Sequence, residues 1–363
     1  FFRRSEMTSM HALFEWLVHE GALYHRSRKL HESTVTLDSH CDTPMFFSDS
    51  QDDVNHMFTT RTDRVLVDLP KMTDGRLDAS IMVAYIPQGE RSAQGYREAF
   101  TLAQKKLDQI EALTRAYPHL LGLASNPDDL LRFKAQGIKA IMRGIENGYA
   151  IGRDLSLLSH FRQMGVVYMT LCHNGDNDIC DSARGQAEHG GLSAFGQEVV
   201  REMNALGMMI DMSHAAESSF YDALALSQAP IVCSHSSSRA LCSHPRNLTD
   251  DQMKALAAQG GVAQVTLYHG FLRHEGEATV LDALDHLHHM VQVMGPEHVG
   301  IGTDFDGDGG VRGLKDASEL IGFTRQLLRR RYSESDLQGI WGGNFLRVMR
   351  QVQSSATSHL GLS

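Results

Sequence analysis

Short apolar runs recur along the chain, and most of them end in a residue able to bind a metal or move a proton. TVTLDSHCD closes on His40 and Asp42, AIMRGIEN on Glu146 and VVYMTLCHN on His173. MMIDMSHA carries Asp211 and His214, IVCSHSS carries His235, and HVGIGTDFD carries Asp304 and Asp306. Two more runs, ASIMVAYIP and GVAQVTLYH, have the same character, and the second ends at Tyr268. Runs of this length, rich in Val, Ile and Met, read as buried strands. Helix-spaced patterns fill the gaps, among them YREAFTLAQKKLDQIEALTRAY, SAFGQEVVREMNALG and VLDALDHLHHMVQVMG, and several stop at a glycine. Strand alternating with helix predicts a parallel α/β fold. Polar tips on six strands favour a (β/α)8 TIM-type barrel, whose C-terminal strand ends converge on one mouth. An open doubly wound sheet is the alternative, and it explains the six polar tips less well.

The length of 363 residues suits one barrel with generous loops, and 42% hydrophobic residues supply its core. No linker, repeat or low-complexity segment divides the chain. The expected division is residues 1–34 as an N-terminal helical extension and residues 35–363 as the barrel with C-terminal helices. Leu13, Phe14, Trp16, Leu17 and Leu23 mark the extension as an amphipathic helix that packs on the barrel or on a partner subunit, so a homodimer is one expectation.

A net charge of −10 argues against nucleic acid as a partner. The one dense basic cluster, Arg329 to Arg331, reads as a solvated helix face. No stretch approaches the roughly 20 apolar residues that span a bilayer, and the opening residues lack a signal-peptide core. The expectation is a cytoplasmic chain with no membrane partner. Five cysteines, an odd number with no CxxC, make no disulfide framework. Cys41, Cys172 and Cys233 stand beside proposed site residues and are expected as small buried fillers rather than ligands. Among the 20 histidines, His11, His19, His25, His31, His286, His288 and His289 are expected on surfaces.

The strand-end residues carry the chemistry. His40 and Asp42 are two apart, so both point from one face of a strand into the mouth. Two further strands end in His214 and His235. The carboxylate of Glu146 has two oxygens and can bridge two cations. Asp304 is within reach as a proton shuttle, with Asp306 as the next candidate or a loop hydrogen-bond acceptor.

The stretches DSHCDTP, RGIENG, YMTLCHN, IDMSH, SHSSSRALCSHPRN, HVGIGTDFDG and GGNFLRV resemble, in order, those of the membrane dipeptidase (renal dipeptidase) family of dizinc metallopeptidases. The resemblance runs from about residue 38 to 348. It implies two Zn2+ per chain: His40 and Asp42 on one, His214 and His235 on the other, with Glu146 and a water or hydroxide bridging them. It implies that the bridging hydroxide attacks a dipeptide substrate. His173 contacts the scissile carbonyl, Asp304 handles the proton, Arg246 receives the substrate's free carboxylate and Tyr268 contacts substrate. It also implies tolerance of a D-residue at the C-terminal position. The chain departs from the mammalian members: it shows no secretion signal, lipid-anchor tail or disulfide pair, and the loop NGDNDICDSARGQAEHGG lacks their Trp-containing pattern. That leaves side-chain preference open.

Two other functions compete. One is an amidohydrolase acting on another small amide, but those commonly begin with HxH and bridge their metals through a modified Lys, and Lys139 falls at the wrong end of its strand. The other is a metal-binding barrel without peptidase activity. Intact His173, Asp304 and Arg246 argue against it.

Overall fold

The structure, a computed structural model, describes residues 4–359. Nine parallel strands form one sheet: β1 Leu37–Cys41, β2 Ala79–Tyr85, β3 Leu121–Leu123, β4 Lys139–Glu146, β5 Val166–Thr170, β6 Met209–Asp211, β7 Val232–Cys233, β8 Val262–Val265 and β9 Val299–Ile301. Eight of them follow the order β1-β2-β4-β5-β6-β7-β8-β9, and these are the eight apolar runs read from the sequence. The short β3 was not expected and pairs with β4 off that path. The seam between β1 and β9 is joined just beyond the strands. Asp42 N–H donates to the Phe305 carbonyl at 2.8 Å, and Asp304 N–H donates to the His40 carbonyl at 3.1 Å. The sheet is thus a (β/α)8 barrel.

Five of the helices between strands start where the chain offers a side-chain oxygen to the first turn. Ser92, Asn126, Ser193, Thr249 and Thr279 each accept from a backbone N–H there. Gly207 ends the helix Ala194–Leu206 with φ 66°, a left-handed conformation that costs glycine little. Each helix lays its apolar side on the sheet, so the strands are buried on both faces.

One close approach shapes the barrel interior. Gly144 of β4 leaves room for the Tyr168 ring; a Cβ there would stand 3.1 Å from it and 2.9 Å from Val83. Fully buried Tyr168 therefore reaches across the barrel below the mouth. At the other end, Asn344 Nδ2 donates to the carbonyls of Pro296 and Val299 at 2.7 and 2.8 Å, fixing the start of the last helix, Asn344–His359, under β9.

The N-terminal helix runs Arg4–Ser33. Leu23 and Leu30 are buried, and its main neighbour is the helix Leu320–Arg329. Leu13 and Leu17, expected on the packed stripe, are exposed instead, because the helix runs past the surface it could cover. The side chains of Phe14 and Trp16 lie outside the described residues. Two other surface expectations are corrected here. His31 is buried, with Nε2 2.6 Å from Thr324 Oγ1, because its helix packs there. His286 is buried too: its Nδ1 accepts from Ser238 N–H at 3.0 Å and its Nε2 donates to the Leu272 carbonyl at 3.1 Å. The basic cluster is partly paired, Arg329 with Glu20 and Arg330 with Asp285.

Candidate metal centre and substrate cavity

At the C-terminal mouth, buried His40, Asp42, Glu146, His214, His235 and Asp304 come together. Three groups could each hold a metal ion, their donor atoms lying within 4.8 Å of one another: His40, Asp42 and Glu146; Glu146, His214 and His235; and His40, His235 and Asp304. Glu146 faces both sides. Its Oε2 is 3.7 Å from His40 Nε2, while its Oε1 is 2.9 Å from His214 Nε2 and 3.6 Å from His235 Nε2. His40 Nε2 also stands 3.4 Å from Asp42 Oδ2 and 4.0 Å from Asp304 Oδ1.

The partners behind the rings decide which nitrogen carries hydrogen. Tyr168 gives its one O–H to the Ser39 carbonyl at 2.9 Å, so its oxygen accepts from His40 Nδ1 at 2.8 Å. Ser234 gives its O–H to Asp211 Oδ2 at 2.6 Å, so its oxygen accepts from His235 Nδ1 at 2.9 Å. Asn174 Oδ1 accepts from His214 Nδ1 at 3.2 Å. In each neutral ring the hydrogen sits on Nδ1, and a bare Nε2 lone pair points into the centre. Two of these nitrogens, on His214 and His235, are 2.9 Å apart and cannot both accept from each other. His40 Nε2 and Asp42 Oδ1 are buried with no hydrogen-bond partner. Cations held by these donor groups would satisfy these atoms, and the nitrogen and carboxylate donors suit zinc, cobalt or manganese.

The charges agree. Burial, with the Asp42 charge next, raises Glu146 to about 7. The same two causes push Asp304 well above the usual carboxylate range. Burial pulls His40 down, but Tyr168, Asp42 and Glu146 together carry it well up, so the carboxylates would draw a second proton onto Nε2. That conflicts with the bare Nε2 read from the hydrogen bonds. We favour the bare nitrogen, because a cation in the same place removes the need for the proton. Burial holds His214 and His235 well below their usual value, hence neutral and able to ligate.

His173 sits beside this group, its Nε2 3.9 Å from Glu146 Oε1. Burial, with Arg246 next, lowers its pKa to about 4. Arg246 is buried on the same side. Its Nη2 donates to the His235 carbonyl at 3.3 Å, its guanidinium lies 5.1 Å over the Phe271 ring, and its Nε has no partner. Among the described residues it has no ion pair. Tyr268 stands on the cavity wall, 4.4 Å edge-on from Phe271.

Two site residues adopt left-handed backbone, His214 at φ 73° and Asp304 at φ 60°. Asp tolerates this region better than most side chains, whereas His there stores some strain, and such outliers cluster at functional sites. Asp306 turns away from the centre, accepting from Thr43 Oγ1 at 2.5 Å and Leu66 N–H at 2.7 Å, so it is the loop acceptor. The Gly307 backbone presses on the site: a Cβ would meet Asp42 Oδ2 at 2.3 Å and Asp304 Oδ1 at 2.6 Å. Lys139 lies at the opposite end of β4, 3.9 Å from Asp78. The five cysteines are all free and buried. The cavity above the centre has a volume of ≈ 410 Å³ and opens through Tyr85, Asn174, Arg184, His244 and Phe271, none of which the sequence reading singled out.

Fold and donor set define a class, the (β/α)8 barrels that carry a metal-binding pocket at the C-terminal mouth. The chain belongs to the membrane dipeptidase family, peptidase family M19, whose profile matches residues 24–360. It is 36% identical to dipeptidase 3 of Mus musculus over 90% of its own length, and spans 66% of that protein. It is equally 36% identical to an uncharacterized dipeptidase of Schizosaccharomyces pombe, covering 79% of this chain and 72% of that one. Among solved structures it is similar to the probable dipeptidase PvdM of Pseudomonas aeruginosa, with a TM-score of 0.87 and 28% identity over 92% of this chain and 99% of that one. No described helix is long and apolar enough to cross a membrane.

Proposed function

We propose that the protein is a metal-dependent dipeptidase with a two-cation centre. His40 and Asp42 would hold one cation and His214 and His235 the other, with Glu146 available to both, since its Oε2 faces His40 and its Oε1 faces His214 and His235. The observation that carries this reading is the set of three rings whose Nδ1 hydrogens are all engaged behind them, leaving three Nε2 lone pairs converging on one carboxylate. A pair of divalent ions would supply charge to polarise a carbonyl and to lower the pKa of water. Zinc is the expected metal.

The chain's own side chains do the rest. Arg246, buried and with a free Nε, receives the substrate's C-terminal carboxylate in a guanidinium fork. His173, kept neutral by burial, donates its N–H to the carbonyl oxygen as negative charge grows there. Asp304 holds a proton readily and delivers it to the departing amine nitrogen. Tyr268 walls the substrate on one side. A dipeptide fits a cavity of ≈ 410 Å³.

The test is a panel with zinc-loaded protein: L-Ala-L-Ala, L-Ala-D-Ala, their C-terminal amides and a tripeptide. Both dipeptides should be cut. Amidation removes the charge that Arg246 pairs and should cost about 2–5 kcal/mol in kcat/KM. Good tripeptide cleavage removes the dipeptidase reading, and equal rates on the amides remove the Arg246 role. Metal analysis should find two equivalents per chain; a stable value of one, unchanged by added zinc, removes the bridging role of Glu146.

A further inference from the structure

The cavity is not evenly charged. Apart from Glu146 at the centre, its acidic groups, Asp42, Asp304, Asp306 and Asp308, come from the ends of β1 and β9, which meet at the barrel seam. Its arginines come from the far side of the strand order, Arg184 from the loop after β5 and Arg246 from the loop after β7. The Arg246 backbone N–H donates to His244 Nδ1 at 3.1 Å, and His244 lines the cavity together with Arg184, so both arginines belong to the His244 side. Burial lowers the His244 pKa, so it adds no charge of its own near pH 7.

The two arginines differ in setting. Arg246 is buried at the floor. Arg184 is exposed on the cavity wall, and its guanidinium has no hydrogen bond or ion pair among the described residues. One α-carboxylate satisfies Arg246 and leaves Arg184 open. A dipeptide with its carboxylate on Arg246 has its C-terminal residue on the side of the cavity that Arg184 lines.

We propose that Arg184 is a specificity-determining residue that selects dipeptides with a carboxylate on the C-terminal side chain, aspartyl or glutamyl. The proposal rests on the dipeptidase reading. An arginine fork recognises a carboxylate better than the isosteric amide, because both oxygens accept from it.

The experiment compares kcat/KM for L-Ala-L-Glu and L-Ala-L-Gln, and for the pair with D-configured second residues, within each protein variant. Taking the ratio inside a variant cancels any general loss of activity. The native chain should favour the glutamyl member of at least one pair by about tenfold, as a charged hydrogen bond at a half-open site allows. Arg184→Gln should bring that ratio close to one. Arg184→Glu should carry it below one and improve L-Ala-L-Lys relative to L-Ala-L-Gln. A native ratio near one in both pairs overturns the proposal, and so does a ratio that Arg184→Gln leaves intact. Those results differ from failure of the dipeptidase reading, in which no dipeptide, L-Ala-L-Ala included, is turned over.

Discussion

The floor of the cavity and its rim are built in opposite ways. On the floor, the rings of His40, His214 and His235 are held from behind, and buried carboxylates brace the strand ends. Asp211 is the clearest case: it accepts from Thr170 Oγ1 at 2.6 Å, Ser234 Oγ at 2.6 Å, Ser234 N–H at 2.8 Å and Ser213 N–H at 3.1 Å. Asp38 does the same across the seam, taking Thr303 N–H at 2.8 Å and Thr303 Oγ1 at 2.6 Å. On the rim, Arg184 and Asp308 stand on loops and are exposed. Pre-organised groups lose little entropy when a ligand arrives, whereas rim groups must be ordered by it. On the proposed reading, reaction chemistry belongs to the floor and choice of side chain to the rim.

Three substitutions press on that difference. The largest effect falls on Asp304, which sits on a loop but is buried like the floor. Asp304→Asn keeps the shape and removes the proton, so kcat should fall about 10²–10⁴-fold. Metal content by elemental analysis should stay at the native value; an unchanged kcat would reassign the proton route.

Next comes Asp211, which touches no substrate. Asp211→Asn should loosen Ser234 and, through it, the His235 ring. Metal affinity, read by competition with a chelator, should drop about 10–100-fold, as for other outer partners of metal-binding histidines. Added zinc should restore most of the turnover. Loss of kcat at saturating zinc would mean that Asp211 acts on the reaction directly.

The smallest effect on catalysis is expected at His31, outside both regions. Burial lowers it to about 4 from an ordinary 6.5. The unfolded chain then takes up the proton first, so stability falls as pH drops from 6.5 toward 4 and levels off below. That window can account for about 3 kcal/mol at most. His31→Gln should flatten the fall in urea-melt midpoints across it and leave kcat at pH 7.5 alone. An equally steep profile in the variant would put the acid sensitivity on other groups.

The same contrast governs what the sequence disclosed. All eight barrel strands were legible as short apolar runs, six of them closed by a polar tip, and so was the meeting of His40, Asp42, Glu146, His214, His235 and Asp304. The supports were not. Tyr168 looked like one more apolar strand residue, and only the space above Gly144 turns its hydroxyl toward His40. Ser234 sits next to His235, but a serine beside a histidine carries no signal until Asp211 is seen to take its proton. Asp211 was read as another polar tip and lies a layer below the others. Rim residues such as Arg184 and His244 come from loops whose path no periodicity encodes. His31 and His286 were misplaced for a related reason: helix spacing shows which residues share a side, but not which side another helix covers.

The seam has a consequence in time. Asp304 reaches His40 and Asp42 only through the hydrogen bonds that join the first strand to the segment after the last. Those partners are separated by most of the chain, and contacts so distant in sequence form late. A ribosome-bound chain that has not yet released its final strands already exposes His40, Asp42, Glu146, His214 and His235, yet it lacks Asp304, the group proposed to move the proton. Any catalysis that depends on this acid is therefore withheld until the ring of strands shuts, and completion of the barrel and completion of the catalyst are one event.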